Sequence, residues 1–241
     1  MVVTDLKLQY RNKWLGVLWT ILDPLMMMVV YVIVVVVIFG QSNPRYPAEI
    51  FTALISWRWF NQTVSRSAGG ITGKARLIQT VAFPKVLIPI SSALEGLVTY
   101  GFGLLALVPI LFVFKATLTI QLLWLPVIVA AQLLFTLGVA MAVAAVGVYF
   151  LDLENLLTFG LRMWWYLSPG MYAVENRIPD AYRWLFMLNP FSGLFISYKN
   201  VLVYGLPPSP YVVIAPALGI IMIVIGLRAY VKLDASFAKE V

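Results

Sequence analysis

Chemistry needs groups that hold charge or move protons, and this chain offers few of them. It contains no histidine and no cysteine. That removes the commonest general base and excludes disulfides and thiolate metal sites. Among its ten acidic residues, Asp152 and Glu154 form a close pair, but on helical spacing the two side chains diverge. Group transfer needs carboxylates, His or Lys gathered around a substrate. The expectation is therefore a chain that is not an enzyme and binds neither metal nor cofactor itself. GGITGKA (69–75) resembles a phosphate loop but lacks its spacing: Ala68 stands where the first glycine belongs, and Ala75 where Ser or Thr should follow Lys74. Asn61-Gln62-Thr63 matches a glycosylation acceptor, but it falls inside a hydrophobic run and is discounted.

Two arginines carry more information. Arg58 sits in SWRWF and Arg162 in LRMWWY, both inside apolar runs. A charge there is costly and normally faces protein or water. Trp57, Trp59 and Phe60 surround the first; Trp164, Trp165, Tyr166 and Tyr172 follow the second. Two readings stand. One is an interfacial aromatic belt, which suits Tyr172 and suits Arg58 badly. The other is a substrate pathway lined by Trp57, Arg58, Trp59, Phe60, Arg162, Trp164, Trp165, Tyr166 and Tyr172. Aromatic faces pack against the apolar faces of sugars without strong directional bonds.

The elements that must position these groups are membrane helices. Of 241 residues, 62% are hydrophobic and 11% charged, against about 45–50% and about 25% in soluble domains. Several apolar runs reach bilayer length. The expected fold class is all-α integral membrane, one transmembrane domain over residues 1–241. Six transmembrane helices are expected near 24–39, 50–67, 90–114, 122–150, 156–172 and 211–231. In 5–18, Leu6, Tyr10, Trp14 and Leu18 form one helical stripe, with Lys7, Arg11 and Lys13 off it. This reads either as an amphipathic interfacial helix with its cations at the lipid headgroups, or as the first turns of a long membrane helix. Asp23-Pro24 can cap and begin a new helix, which favours the first. In 173–206 the apolar pieces are short and broken by Asn189-Pro190, Lys199 and Asn200. That suits short re-entrant helices before the last span. Gly96, Gly101 and Gly103, and the Gly- and Ala-rich 138–150, read as faces for close helix packing. The polar first residues lead into a full span, so no cleavable signal peptide is expected.

The net charge of +7 does not require nucleic acid, which is not expected as a partner, because basic residues collect at the cytoplasmic ends of membrane helices. With six spans, ten Lys and Arg fall on the side of the termini and five on the other. This places both termini and the 69–89 connection in the cytoplasm. That connection carries Lys74, Arg76 and Lys85 and no acid. It reads as a handle gripped from the cytoplasm.

Several stretches together carry a resemblance: LQYRNKWLGVLWTILDPL, SWRWF, KARLIQTVAFPKVLIP, YLSPGMY, Ile178-Pro179 and LNPFSGLFISYKNVL. In their order and spacing they resemble the membrane (permease) subunit of type-2 ATP-binding-cassette (ABC) exporters. The group is the one that exports O-antigen, capsular polysaccharide or teichoic acid, and the likeness covers nearly the whole chain. One departure is Leu151-Asp152 where the family carries Arg-Asp. The resemblance implies a homodimer of six-helix subunits with a pathway between them. Two cytoplasmic ABC ATPase subunits, which bind ATP and magnesium, complete it. It also implies coupling to the ATPase through Gly73, Lys74, Arg76, Phe83 and Lys85, and closure of the outer end by 173–206. The implied substrate is a polyprenyl-pyrophosphate-linked polymer, moved across the bacterial cytoplasmic (inner) membrane. Lys7, Arg11 and Lys13 would meet its pyrophosphate at the membrane surface. Small-molecule and drug efflux permeases share the superfamily and are the alternative; a closed cavity in place of an aromatic track would mark them. A scaffold subunit with no pathway is a third class, and it would leave the buried arginines unexplained.

Overall fold

A computed structural model describes residues 18–40, 42–71, 73, 84–150, 152–172 and 179–240; for Asp180 and residues 231–240 it describes the backbone. Every regular element among them is helical. α1 (Leu18–Val32) continues into a π-helical turn, Ile33–Ile38. α2 is Tyr46–Ala68 and α3 is Leu87–Val113. A 3₁₀ turn, Ile120–Trp124, leads into α4, Leu125–Gly147. α5 (Leu153–Leu167) and the short α6 (Asp180–Met187) follow. α7 (Pro190–Lys199) runs on into a π-helical turn, Asn200–Tyr204. A 3₁₀ turn, Pro210–Val213, opens α8, Ile214–Glu240.

The bundle is built around α2, which packs against α1, α3, α4, α5 and α7. Most of its residues are buried. Its polar side chains find partners on the helices around it. Ser56 Oγ donates to Gln132 Oε1, and Gln132 Nε2 donates back to the Ser56 carbonyl, both at 2.8 Å. Trp59 Nε1 donates to the Ala93 carbonyl at 3.1 Å. Arg66 pairs with Glu95 at 3.1 Å. A helix enclosed by other helices can carry such groups, because they are satisfied by protein instead of lipid.

Four helices are long and apolar enough to cross a membrane among the described residues: Leu18–Ile38, Leu87–Val113, Ile120–Gly147 and Pro210–Tyr230. The remaining two expected spans differ for separate reasons. α2, with 23 residues, is about 34 Å long and matches a bilayer core of about 30 Å. Its low hydropathy follows from its central position. α5 has 15 residues, about 22 Å. It ends earlier than the sequence suggests because Pro169 follows Ser168, and a residue before proline is pushed out of the α region. Ser168 is indeed extended, at φ −98° and ψ 144°. Tyr172 therefore lies beyond the helix, and Glu154 lies inside its first turn instead of in a loop.

Two further differences concern α1 and the C-terminal end. Residues 5–17 of the expected interfacial helix lie outside the described residues. Asp23-Pro24 does not begin a helix: α1 runs unbroken from Leu18 through Pro24. The Asp23 carboxylate accepts from Arg58 of α2 instead of capping backbone amides. The expected tail from 233 is helical to Glu240, as part of α8.

Glycine sets how closely the helices approach. α4 and α8 meet backbone to backbone: a Cβ on Gly138 would lie 2.3 Å from the Gly219 carbonyl oxygen, and one on Gly219 would lie 2.6 Å from the backbone of Leu134 and Phe135. Small-residue seams of this kind drive helix association where apolar burial cannot. Gly96 and Gly103 seat Trp59 and Ile55 of α2 in the same way, whereas Gly101 faces open space.

Candidate functional site

Three helix faces converge on one cleft. From α2 come Leu54, Trp57, Arg58, Asn61 and Ser65; from α1, Asp23, Pro24, Met27 and Tyr31; from α5, Thr158, Arg162, Trp165 and Tyr166. On each helix these positions recur at three- or four-residue steps, so each set is one stripe. The cleft has a volume of about 410 Å³, within the usual span of about 300–1,000 Å³ for small-molecule sites.

α1 and α5 form its walls and α2 its floor. Two contacts tie the walls to the rest. Arg58 forms an ion pair with Asp23 across the α1–α2 seam. Trp165 Nε1 donates to Tyr31 Oη at 2.7 Å, joining α5 to α1. Arg58 sits about midway along α2, with 21% of its side chain exposed against 61% for Asp23. Arg162 is exposed on α5 and forms no ion pair among the described residues. Two guanidinium groups, one carboxylate, two phenols and two indoles make a surface that can bind an anion beside an apolar or sugar-like face.

The structure sorts the aromatic and arginine residues singled out from the sequence. Trp57, Arg58, Arg162, Trp165 and Tyr166 line the cleft. Trp59 and Phe60 do not; both are fully buried. Trp59 stacks on Tyr100, with ring centroids 5.2 Å apart. Phe60 stacks on Phe135 at 5.4 Å and meets Trp164 edge-on at 5.5 Å. Phe191 joins this aromatic core, 4.8 Å from both Trp57 and Phe60. Trp59, Phe60 and Phe191 are sealed inside this core and pack helices together. Tyr172 is half-buried beyond α5, its hydroxyl donating to the Tyr166 carbonyl at 3.5 Å.

Of the expected coupling residues, Gly73 and Lys85 are described. The Gly73 amide donates to the Gly69 carbonyl at 2.8 Å, and the Lys85 carbonyl accepts from the Ile88 amide at 3.1 Å as α3 begins. Lys74, Arg76 and Phe83 lie outside the described residues, as do Lys7, Arg11 and Lys13.

Several residues that shape the site play a different part from the one their sequence context suggests. Asp23 is one; its signal was a lone acid entering an apolar run near a second run with a lone arginine. Asn189 is another. Its side-chain oxygen accepts from Trp164 Nε1 and from the Phe191 amide, both at 3.1 Å. Its side-chain nitrogen donates to Ser168 Oγ at 2.9 Å. It thereby caps α7 and pins it to the end of α5. Lys199 is buried and donates to the Pro169 and Gly170 carbonyls at 2.9 Å each. Near the start of α2, the buried Glu49 accepts from Asn43 and from Tyr204, and the Arg45 guanidinium lies 5.6 Å from the Tyr204 ring centre. The polar breaks in 173–206 are thus fixing points.

The chain is a multi-pass membrane protein, and it is similar end to end to proteins of one kind. It is 28% identical to the O-antigen export system permease protein RfbA of Klebsiella pneumoniae, over 98% of this chain and 91% of that protein. A second Klebsiella pneumoniae protein of the same name is 27% identical over the same shares. The O-antigen export system permease protein RfbA of Myxococcus xanthus is 28% identical over all of this chain and 94% of that relative. No protein-family model matches the chain.

Proposed function

We propose that this chain is the permease subunit of an ATP-driven exporter that carries a lipid-linked polysaccharide of the O-antigen class across the bacterial inner membrane. The observation that carries this reading is the likeness to three O-antigen export permeases over nearly the full length of each. The arrangement of helices agrees with it. A polar, arginine-bearing helix enclosed by apolar ones is what a transport path demands of a membrane protein. Capsular polysaccharide and teichoic acid are the related cargoes of the same chemistry.

The subunit works as a homodimer with two cytoplasmic ABC ATPase subunits. Both termini lie in the cytoplasm, and six segments span the membrane, with α2 and α5 as the two that hydropathy alone passes over. α7 starts level with the middle of α2, where Phe191 meets Trp57, and the π-helical turn that continues it ends at Tyr204, beside Glu49 in the first turn of α2. This half-depth path supports a re-entrant role for 173–206 at the outer end. The basic segment between α2 and α3, from Gly73 to Lys85, meets the ATPase. Closure of the ATPase dimer on ATP moves that segment, the helices on either side shift, and the seam between subunits opens.

The test is Arg76→Glu. In wild type, the ABC ATPase encoded nearest to this chain should co-purify with it in detergent, and its hydrolysis should rise in the complex. In Arg76→Glu, recovery of the ATPase should fall at least about tenfold, as expected for reversing a charge at a complementary interface. The permease itself should elute unchanged. Failure of the wild-type pair to associate would remove the exporter reading. Hydrolysis stimulated by small apolar drugs, and not by lipid-linked glycan, would point to the efflux alternative.

A further inference from the structure

The cleft carries a feature that transport alone does not explain: an acid of this chain already occupies its best-anchored cation. We propose that the α1–α2–α5 cleft binds the phosphate group of a lipid, with Arg58 and Arg162 as ligands, and that Asp23 is a built-in competitor. Asp23 holds Arg58 while the cleft is empty and yields it when phosphate enters. The identity of the lipid as export cargo rests on the export reading; the site and its competitor do not.

The two partners of the ion pair are unequal. Arg58 comes from the central helix and is mostly enclosed, whereas the Asp23 side chain is 61% exposed on the cleft wall. An ion pair with one exposed member is held less firmly than a fully buried one. A phosphate group offers three acceptor oxygens and matches the guanidinium fork, so it competes well against a single carboxylate. The opposite wall supplies Arg162, also on the cleft lining. With two arginines and one aspartate, the lining has one positive charge in excess. An anion that takes Arg58 and leaves Asp23 to solvent gains both cations. Asn61, Ser65 and Thr158 line the same cleft and add neutral hydrogen-bonding groups. Met27, Leu54 and Trp57 supply apolar wall beside them. Cations and apolar surface in one cleft select an amphiphile with a phosphate head and an apolar tail.

Displacement has a mechanical consequence. The Asp23–Arg58 pair ties α1 to the bundle core. When phosphate replaces Asp23, that tie is lost and α1 is held to α5 chiefly by the Tyr31–Trp165 hydrogen bond. Loading the cleft thus loosens the wall through which a lipid tail must pass.

The experiment uses the full chain in dodecyl maltoside micelles, which contain no phosphate, and measures binding of farnesyl pyrophosphate, farnesol and inorganic pyrophosphate. Farnesyl pyrophosphate should bind more tightly to Asp23→Asn than to wild type by about tenfold, the scale of one charge-assisted hydrogen bond. Arg162→Gln should weaken it by about the same factor. In an Arg58→Gln background, Asp23→Asn should have no effect, since the competitor then has nothing to guard. Unchanged or weaker binding to Asp23→Asn overturns the proposal. Farnesol binding as tightly as farnesyl pyrophosphate overturns it too, leaving only an apolar groove. Inorganic pyrophosphate binding as tightly as the lipid upholds the anion site and assigns it a soluble ligand. The expected pattern in a protein whose loss leaves polymer export intact would uphold the site and remove the export reading. Chain-dependent export with no Asp23 effect would remove the site alone.

Discussion

Gly138→Ala is expected to destabilise the protein by more than about 2 kcal/mol, while Gly101→Ala leaves it unchanged or gains about 0.5–1 kcal/mol. The two substitutions add the same methyl group to the same kind of residue in a membrane helix. They differ in what the methyl meets. At Gly138 it would sit 2.3 Å from the Gly219 carbonyl oxygen. That oxygen belongs to the backbone of α8, so it cannot rotate away as a side chain can. α4 and α8 must separate, and the reciprocal fit of Gly219 against Leu134 and Phe135 is lost with them. At Gly101 the methyl meets nothing within 4 Å, and the alanine simply restrains the unfolded chain. Thermal unfolding in detergent, followed by size-exclusion recovery, separates the two outcomes. Equal behaviour of both variants would remove the small-residue seam from the account.

Lys199→Met should lower stability by about 3 kcal/mol, the scale of two hydrogen bonds from a charged donor with partial relaxation. Lys115→Met should stay within about 0.5 kcal/mol, as surface changes do. Both lysines belong to the minority of cations assigned to one side of the membrane. Lys115 is exposed on a loop. Lys199 is buried, and its ammonium bridges the Pro169 and Gly170 carbonyls that follow α5. Without it, α7 loses its hold on that turn, and Asn189, with the ring contacts Trp164–Phe191 and Trp165–Phe195, continues to connect α7 to α5. On the proposed role of 173–206 in closing the outer end of an exporter, Lys199→Met should also leak or stall transport. A melting temperature equal to that of wild type would show that the buried lysine contributes nothing.

The sequence made the helices legible where apolar runs were long, and it made α2 legible for the opposite reason. SWRWF inside a run of bilayer length implied a helix shielded by protein, and α2 is the most enclosed of the bilayer-length helices. It did not tell which side of that helix an aromatic ring takes. Trp57 and Trp59 are two positions apart, yet one lines the cleft and the other is sealed against Tyr100 and Ala93. Spacing gives relative angles on a helix but not the direction of the neighbours, which only packing decides. Asp23 shows a second limit. Asp-Pro is an equally good signal for a helix start and for an acid inside a helix. The arginine that decides between them is 35 positions away. Gly101 and Gly103 were indistinguishable by composition, and only the approach of Ile55 separates them. Lys199 and Asn189 looked like breaks because polarity in an apolar stretch reads as exposure, when a network of fixed partners was the alternative.

Depletion of the chain in its own cell reports on whether a lipid-linked glycan leaves the cytoplasm through it, as proposed. The polymer is measured with an impermeant antibody or lectin before and after the cells are permeabilised. Surface polymer is expected to fall as the chain is depleted. A lipid-linked polymer that becomes reactive only after permeabilisation accumulates in its place. Surface polymer at an undiminished level, with nothing held inside, would contradict the export reading.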